Sequence, residues 1–389
     1  MTVVTSTEAL ARLVAEARRR EYVAVDTEFM RDRTYWPRLC LVQLGWPGTA
    51  VAVDPLAPGL DLAPLAELLL DPAVTKVFHA CRQDLEIFHR RLGGRLPAPV
   101  FDTQVAAMVC GLGEEVSYDQ LVARLLGVRL DKSHRFLDWA RRPLDEAQLR
   151  YALADVIHLC DLYERLRARV LAMGRLEWVH EELARLLDPE LYVQRPEEAW
   201  RRLKLRSREP RFVALVQALA AWREREAQAR DVPRNRVLRD DLLLELAAAR
   251  PTTAEALARL RRIALDAPQR RAVLEIVREV MARPESELPR LPRPERPPPG
   301  LGPVVDLLRV LLKYCAEEHE VAQRLIAGAA DLERIARDDR AEVPALRGWR
   351  RQVFGERALA LKHGRLALAV AGRRIRLLEL EPAGPRAGA

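Results

Sequence analysis

Tyr22-Val23-Ala24-Val25-Asp26-Thr27-Glu28-Phe29 is the stretch that decides how this chain is read. Its first four residues form a short buried strand. Two acids then follow at alternate positions, and side chains at i and i+2 of a strand share a face. Two carboxylates on one face repel unless a cation sits between them, and hard divalent ions such as Mg²⁺ take oxygen ligands of this kind. The other reading of the pair is two acids at a solvated exit from the strand.

Around this stretch strand and helix signals alternate. Leu39-Cys40-Leu41-Val42-Gln43-Leu44 and Ala50-Val51-Ala52-Val53 are two more strands, with a hairpin turn at Gly45 to Gly48. Val74 to Phe78 is a fourth, followed by a helix over Arg82 to Leu92, and beyond Phe101 the pattern is helical. Strands early and helices later describe an α/β unit with a mixed sheet over residues 1–190. Residues 210–283 are helical throughout. There Phe212, Leu215, Val216, Leu219 and Trp222 share one helix face, Asp231-Val232-Pro233 breaks the run, and Asp240, Thr252 and Asp266 are expected N-caps. Between Pro284 and Pro303 eight of twenty residues are proline, which reads as an extended linker. Residues 304–383 read as a second helical unit.

The chain has 389 residues, enough for two or three domains at roughly 100–200 residues each. Apolar residues make up 49% and charged residues 31%, which excludes collagen-like, disordered and disulfide-scaffold classes. No apolar run approaches the roughly 18–20 residues of a membrane span. Met1 to Glu8 lacks a basic region leading into an apolar core, so no signal peptide and a cytoplasmic address are expected. The five cysteines are scattered and odd in number, and none forms a Cys-x-x-Cys pair. They read as reduced and structural. Residues 1–190 carry a net charge of −4, residues 191–300 of +8 and residues 301–389 of +4. An acidic first half joined to a basic second half suggests a cation-using site beside a polyanion-binding surface, or simply an arginine-rich background.

Two further acidic motifs complete the pattern. Asp84 falls at the start of the helix after the fourth strand, where an acid also offsets the helix dipole. Tyr151 and Asp155 lie one turn apart on a helix, away from the apolar stripe of Leu149, Leu153, Val156 and Cys160. In isolation they are also readable as a surface Tyr–Asp hydrogen bond.

Asp-x-Glu on a strand, an Asp after a later strand and Tyr-x-x-x-Asp on a helix, in that order, resemble the DEDD superfamily of 3′-to-5′ exonucleases. Tyrosine in the last motif marks the DEDDy branch. The motifs Asp26-Thr27-Glu28-Phe29, Arg33-Thr34-Tyr35-Trp36-Pro37, His79-Ala80-Cys81-Arg82-Gln83-Asp84, Phe101-Asp102-Thr103-Gln104 and Asp131-Lys132-Ser133, with Asp138-Trp139 and Arg142-Pro143-Leu144, look like the ribonuclease D family. Residues 211–282, with Trp222-Arg223, Asp231-Val232-Pro233 and Arg250-Pro251-Thr252, look like the HRDC module. Residues 304–383, with Gly348-Trp349-Arg350, resemble the second HRDC-like domain of the same enzymes.

The resemblance implies a ribonuclease H-like mixed sheet flanked by helices (1–190) and two all-α HRDC-type domains. The first is at 191–283 and the second at 304–383, with a proline-rich linker at 284–303. It implies hydrolytic removal of nucleotides from RNA 3′ ends with release of 5′-mononucleotides, notably in transfer RNA precursor maturation. It also implies two divalent ions, Mg²⁺ or Mn²⁺, held by Asp26, Glu28, Asp84 and Asp155. Such a pair activates water and stabilises the leaving oxygen. Tyr151 would orient the attacking water. Phe29 would stack on a terminal base or pack in the core, and Tyr35 and Trp36 offer similar rings. Lys132, Arg135, Arg141 and Arg142 would meet phosphate or form a solvated face. Arg201, Arg202, Lys204, Arg206 and Arg208 would hold the RNA body. A monomer binding RNA, with no membrane, is the expected assembly. A DNA exonuclease of the same superfamily and an RNA-binding protein without turnover are the competing readings. A helicase motor is excluded, since the sequence has no Gly-x-x-x-x-Gly-Lys-[Ser/Thr] phosphate loop.

Overall fold

The apolar start at Tyr22 runs on through both acids. The computed structural model describes residues 2–130, 137–292, 298 and 300–380. The first unit comprises β1 (Thr2–Val4), α1 (Thr7–Ala17), β2 (Tyr22–Met30), β3 (Arg38–Trp46), β4 (Thr49–Val53), α2 (Ala63–Leu70), β5 (Thr75–Phe78), α3 (Arg82–Arg91), β6 (Val100–Asp102), α4 (Thr103–Val109), α5 (Tyr118–Leu126), α6 (Glu146–Ala172) and α7 (Leu176–Leu186). Asp26 and Glu28 therefore lie within a nine-residue strand rather than at the exit of a four-residue one. The sheet order is β1-β4-β3-β2-β5-β6. β2 is antiparallel to β3 and β3 to β4, while the β1–β4, β2–β5 and β5–β6 pairs are parallel. β2 is thus central: Tyr22 to Ala24 pair with β5, and the stretch that carries the acids continues beyond β5 paired with β3.

The long helix α6 is started by a capping box. The Asp145 side chain accepts from the Gln148 backbone N–H, and the Gln148 side chain accepts from that of Asp145. The helix lies across the sheet at short range because Gly45 on β3 has no side chain. A Cβ built there would meet the Val156 Cβ at 2.9 Å and the Val156 carbonyl oxygen at 3.1 Å. Beside it, Cys40, Leu41, Ala52, Trp139, Ala152 and Leu153 form an apolar cluster. Asp54, at the end of β4, takes the Arg142 guanidinium in two hydrogen bonds of 2.7 and 2.6 Å, and Arg142 also donates to the carbonyls of Cys40 and Trp139. Arg142 is thus engaged as a structural strut between β4, β3 and the loop before α6.

The second unit comprises α8 (Pro210–Arg230), α9 (Arg234–Val237), α10 (Asp240–Ala249), α11 (Ala254–Ala258) and α12 (Ala267–Ala282). Phe212, Leu215, Val216, Leu219 and Trp222 are all buried in its core, as their spacing requires. Asp266 caps α12 as expected. Thr253 rather than Thr252 caps α11, and Asp240 sits inside the first turn of α10, where it accepts from Arg223 at 2.6 Å. Tyr35 is buried in this second core. Its hydroxyl donates to Glu224, and the backbone N–H groups of Tyr35 and Trp36 both donate to Asp231 at 3.1 and 3.0 Å. The expected base-stacking ring is an inter-unit latch.

In its described part the proline-rich segment is less extended than its composition implies, with a short 3-10 turn at Glu285–Glu287. Leu288 packs into the second core. The third unit starts at α13 (Leu301–Glu318), so Pro303 falls in a first helical turn, where its missing N–H has no partner to lose. There follow α14 (Gln323–Ile326), α15 (Ala329–Arg337), α16 (Gly348–Arg350) and α17 (Glu356–Lys362). The chain then departs from the all-helical expectation. Strands β7 (Leu366–Ala371) and β8 (Arg374–Glu379) pair antiparallel across Gly372-Arg373. Gly372 has φ +65°, which a two-residue hairpin turn needs at its first position. Residues 381–383 of the expected third domain lie outside the described residues. The third unit docks on the first through Trp178 stacked on Trp349 at 4.3 Å, and through the buried Arg350, which pairs with Glu181 at 2.6 Å and with Glu182. All five cysteines are free and buried. Among the described residues no helix is long and apolar enough to cross a membrane.

The close approach at Gly45 sets the height of α6 above the sheet. Gly45→Ala should lift it, lowering thermal stability by about 1–3 kcal/mol and reducing turnover further than the fraction unfolded explains. Thermal melts run beside activity at a temperature well below the transition check both.

Candidate active site

Asp26 and Glu28 point to the face of β2 that α6 covers. Across the β2–β3 pair Asp26 stands opposite Gln43 and Glu28 opposite Leu41, with a bulge between Glu28 and Phe29. From α6, Asp155 reaches down to the same face. Each of Asp26, Glu28 and Asp155 offers a carboxylate oxygen, and these oxygens lie within 4.8 Å of one another. This is the only group of three or more potential metal-ligating side chains among the described residues.

Asp84 lies in the first turn of α3 and is buried. The Thr27 hydroxyl, on the residue between the two strand acids, donates to Asp84 Oδ1 at 2.5 Å. The turn that carries Asp84 is fixed by Asp102. Its carboxylate accepts from the backbone N–H groups of Ala80 at 3.2 Å, Cys81 at 2.7 Å, Gln104 at 2.7 Å and Val105 at 3.1 Å. One side chain thus caps α4 and holds the entry to α3, with Ala80 in the left-handed region at φ +56°. Asp155 has its own brace: the Tyr118 hydroxyl on α5 donates to the Asp155 carbonyl.

Tyr151 is half-buried one turn before Asp155, its ring 6.1 Å from that of Trp139. Tyr151, Asp155, Tyr118, His79, Gln104 and Arg150 line part of a cleft of about 650 Å³. Phe29 is half-buried against the main core. Lys132 and Arg135 lie outside the described residues. Arg141 is exposed. In the basic segment before α8, Arg202 pairs with the buried Glu224 at 3.3 Å and Arg208 donates to the Pro292 carbonyl, while Lys204 and Arg206 face solvent. The structure therefore brings Asp26, Glu28 and Asp155 together with Asp84 close by, and it places Tyr35 in the second core instead of the site. Sequence reasoning missed Thr27, Asp102 and Tyr118 as supports. Asp102 and Thr27 lie inside motifs already singled out, whereas Tyr118 carries no spacing signal.

Burial drives the electrostatics. It pushes Asp26 up to about 7. Burial and the charges of Asp26, Asp155 and Asp84 push Glu28 up to about 9. Burial and Asp26 push Asp155 up to about 8. Asp84 is raised well above the usual carboxylate range, first by burial and then by Asp26. Burial also lowers His79, which keeps its ring neutral beside the Thr103 hydroxyl at 2.9 Å. A set of hard oxygen donors that converges while resisting its own ionisation fits a divalent cation, which replaces the protons and the mutual repulsion together. Without an ion the folded state holds protons that the unfolded chain has released. Stability of the metal-free protein should therefore fall as pH rises from the ordinary carboxylate range through about 7, 8 and 9. Mg²⁺ or Mn²⁺ should raise the melting temperature more at the top of that range than at its foot. Melts with and without EDTA across that range check the sign.

The 3′-5′ exonuclease family matches residues 1–171, and the HRDC domain matches residues 212–280. Ribonuclease D of Acidiphilium cryptum is 53% identical over 384 residues, covering 97% of each chain. Ribonuclease D of Granulibacter bethesdensis is 50% identical over 97% of this chain and 96% of its own. Among solved structures, RNase D of Escherichia coli, an exoribonuclease involved in structured RNA processing, superposes with a TM-score of 0.80 at 31% identity, covering 92% of this chain and 98% of that one. Identity of this extent over nearly the whole of both chains, in a fold that superposes throughout, places the chain in the ribonuclease D family of 3′-to-5′ exoribonucleases.

Proposed function

We propose that this exoribonuclease trims the 3′ ends of RNA precursors, transfer RNA precursors foremost, at the cleft beside Asp26, Glu28 and Asp155. The observation that carries the reading is the convergence of those three carboxylates within 4.8 Å, with Tyr151 one helical turn from Asp155. Asp26, Glu28, Asp84 and Asp155 would hold two divalent ions, Mg²⁺ or Mn²⁺. Bound there, the ions supply an acidified water and neutralise charge on the scissile phosphate. Four carboxylates around two dications leave a net charge near zero, so the phosphate approaches without repulsion. Tyr151 orients the attacking water through its hydroxyl, since a phenol that ordinarily keeps its proton near neutral pH positions water better than it takes a proton from it. The exposed part of Phe29 meets the terminal base. Lys132, Arg135 and Arg141 meet phosphate near the site, and Lys204 and Arg206 help to hold the RNA body.

The division of labour follows domains at 1–190, 191–283 and 304–383 with the linker at 284–303, acting together as a monomer. The helical units hold the RNA body while its 3′ end enters the cleft.

A 5′-labelled RNA with a short single-stranded 3′ extension tests the proposal on a denaturing gel. A ladder shortening from the 3′ end with Mg²⁺, absent with EDTA and absent in Asp155→Ala, is expected. A ladder on the matching DNA strand alone overturns the RNA reading. Tyr151→Phe should slow turnover by about 10- to 100-fold, the scale of a lost positioning contact, and less than Asp26→Ala or Asp155→Ala. RNA affinity should fall steeply between about 50 and about 200 mM salt, since phosphate contacts release counterions. A flat salt profile sinks the assignment of the basic surface.

A further inference from the structure

Gln43 is fully buried, and neither its amide oxygen nor its amide nitrogen has a hydrogen-bond partner. Its place explains why such a residue survives in a core. On β3 it stands directly opposite Asp26, and opposite residues of an antiparallel pair share a face with Cβ atoms about 4.5–5.5 Å apart. On its other side stands Ala52 of β4. Two residues away along β3 on the same face lie Leu41 and Gly45, both under α6. The polar neighbours in the sheet on that face are the two acids of β2, Asp26 directly opposite and Glu28 diagonal to it, so the carboxyl nearest to the amide by register is that of Asp26.

We propose that Gln43 is a positioning residue for Asp26: its amide N–H donates to the Asp26 carboxylate and fixes that carboxylate as a cation ligand. The inference rests on the reading of Asp26, Glu28 and Asp155 as a cation site. The residue type suits the task. A lysine at this position would compete with the cation, and a carboxylate would add a further repelling charge. An aliphatic side chain would satisfy the packing but offer no donor. A neutral amide donates without altering the charge of the cluster, and partners of this kind orient metal ligands and set their affinity.

The test uses the full-length chain with Gln43→Met, which keeps length and volume and removes the donor. Mn²⁺ binding is measured by calorimetry and the metal-free melting temperature by scanning fluorimetry. The expected result is a metal-free melting temperature equal to or above that of the parent, since an unpartnered buried amide has been removed. The Mn²⁺ dissociation constant should rise by about 10- to 100-fold, with KM for RNA unchanged and kcat recovering at saturating Mn²⁺. An unchanged Mn²⁺ dissociation constant overturns the inference. So does a melting temperature that falls while Mn²⁺ affinity holds, which would assign Gln43 to packing. Gln43→Leu carries the same test should the methionine variant fail to fold. If the parent chain itself binds no Mn²⁺, the cation-site reading falls first and this inference with it.

Discussion

Three carboxylates held within 4.8 Å of one another repel by about 3.5 kcal/mol or more per ionised pair at an effective dielectric constant of about 20. The scaffold has to supply the force that keeps them there. It does so from three directions. The central strand β2, anchored to β5 through Tyr22–Ala24, sets Asp26 and Glu28 at alternate positions of a backbone paired with β3. The bare backbone at Gly45 lets α6 come close enough for Asp155 to reach them, and Tyr118 holds the Asp155 carbonyl. Asp102, through four backbone N–H groups, fixes the turn that delivers Asp84. None of these supports brings a positive charge to the cluster, and Asp102 adds a further negative one beside Asp84. The repulsion is therefore left for protons or cations to relieve, and the raised carboxyl pKa values and the fit to a divalent ion are two expressions of that single fact.

Much of this was legible in the residues. Spacing alone pairs Asp26 with Glu28 and Tyr151 with Asp155, because strand and helix periodicities place i, i+2 and i, i+4 side chains on common faces, while the resemblance to the DEDD exonucleases joins both pairs and Asp84 into one site. The sequence reading ended β2 at Val25 because two acids in a row of alternating positions resemble a solvated exit. Only the covering helix, more than a hundred residues later, turns them inward. The hairpin at the C-terminal end was hidden for another reason. Leu366–Ala371 is built of Leu, Ala and Val, and its alanines and leucines are good helix formers, so the turn at Gly372 is the sole local sign of strands. Tyr35 was read as a free ring because its partners, Glu224 and Asp231, are nearly two hundred residues away. No pattern inside a seven-residue loop encodes such a contact.

The arginines show how charge counting both informs and misleads. The net +8 of residues 191–300 suggests a polyanion surface, yet many of the chain's arginines are occupied within the fold. Arg202 and Arg234 surround the buried Glu224, which also receives the Tyr35 hydroxyl. Arg223 is itself buried and pairs with Asp240. Arg350 and Arg175 secure the third unit to the first, the one through Glu181 and Glu182, the other through the carbonyls of Val109, His319 and Glu320. The guanidinium group suits this work, since its fixed fork of donors satisfies several carbonyls or a carboxylate at once. Arg175 and Arg350 therefore act as joints between units, and Arg202 and Arg234 complete a network that includes Tyr35 of the catalytic unit. The same network ties the loop leaving β2 to the second unit, since Tyr35 and Trp36 follow the strand acids by only a few residues. A helical unit docked in this way is part of the frame that holds Asp26 and Glu28. Removing it would release the loop that leaves the catalytic strand.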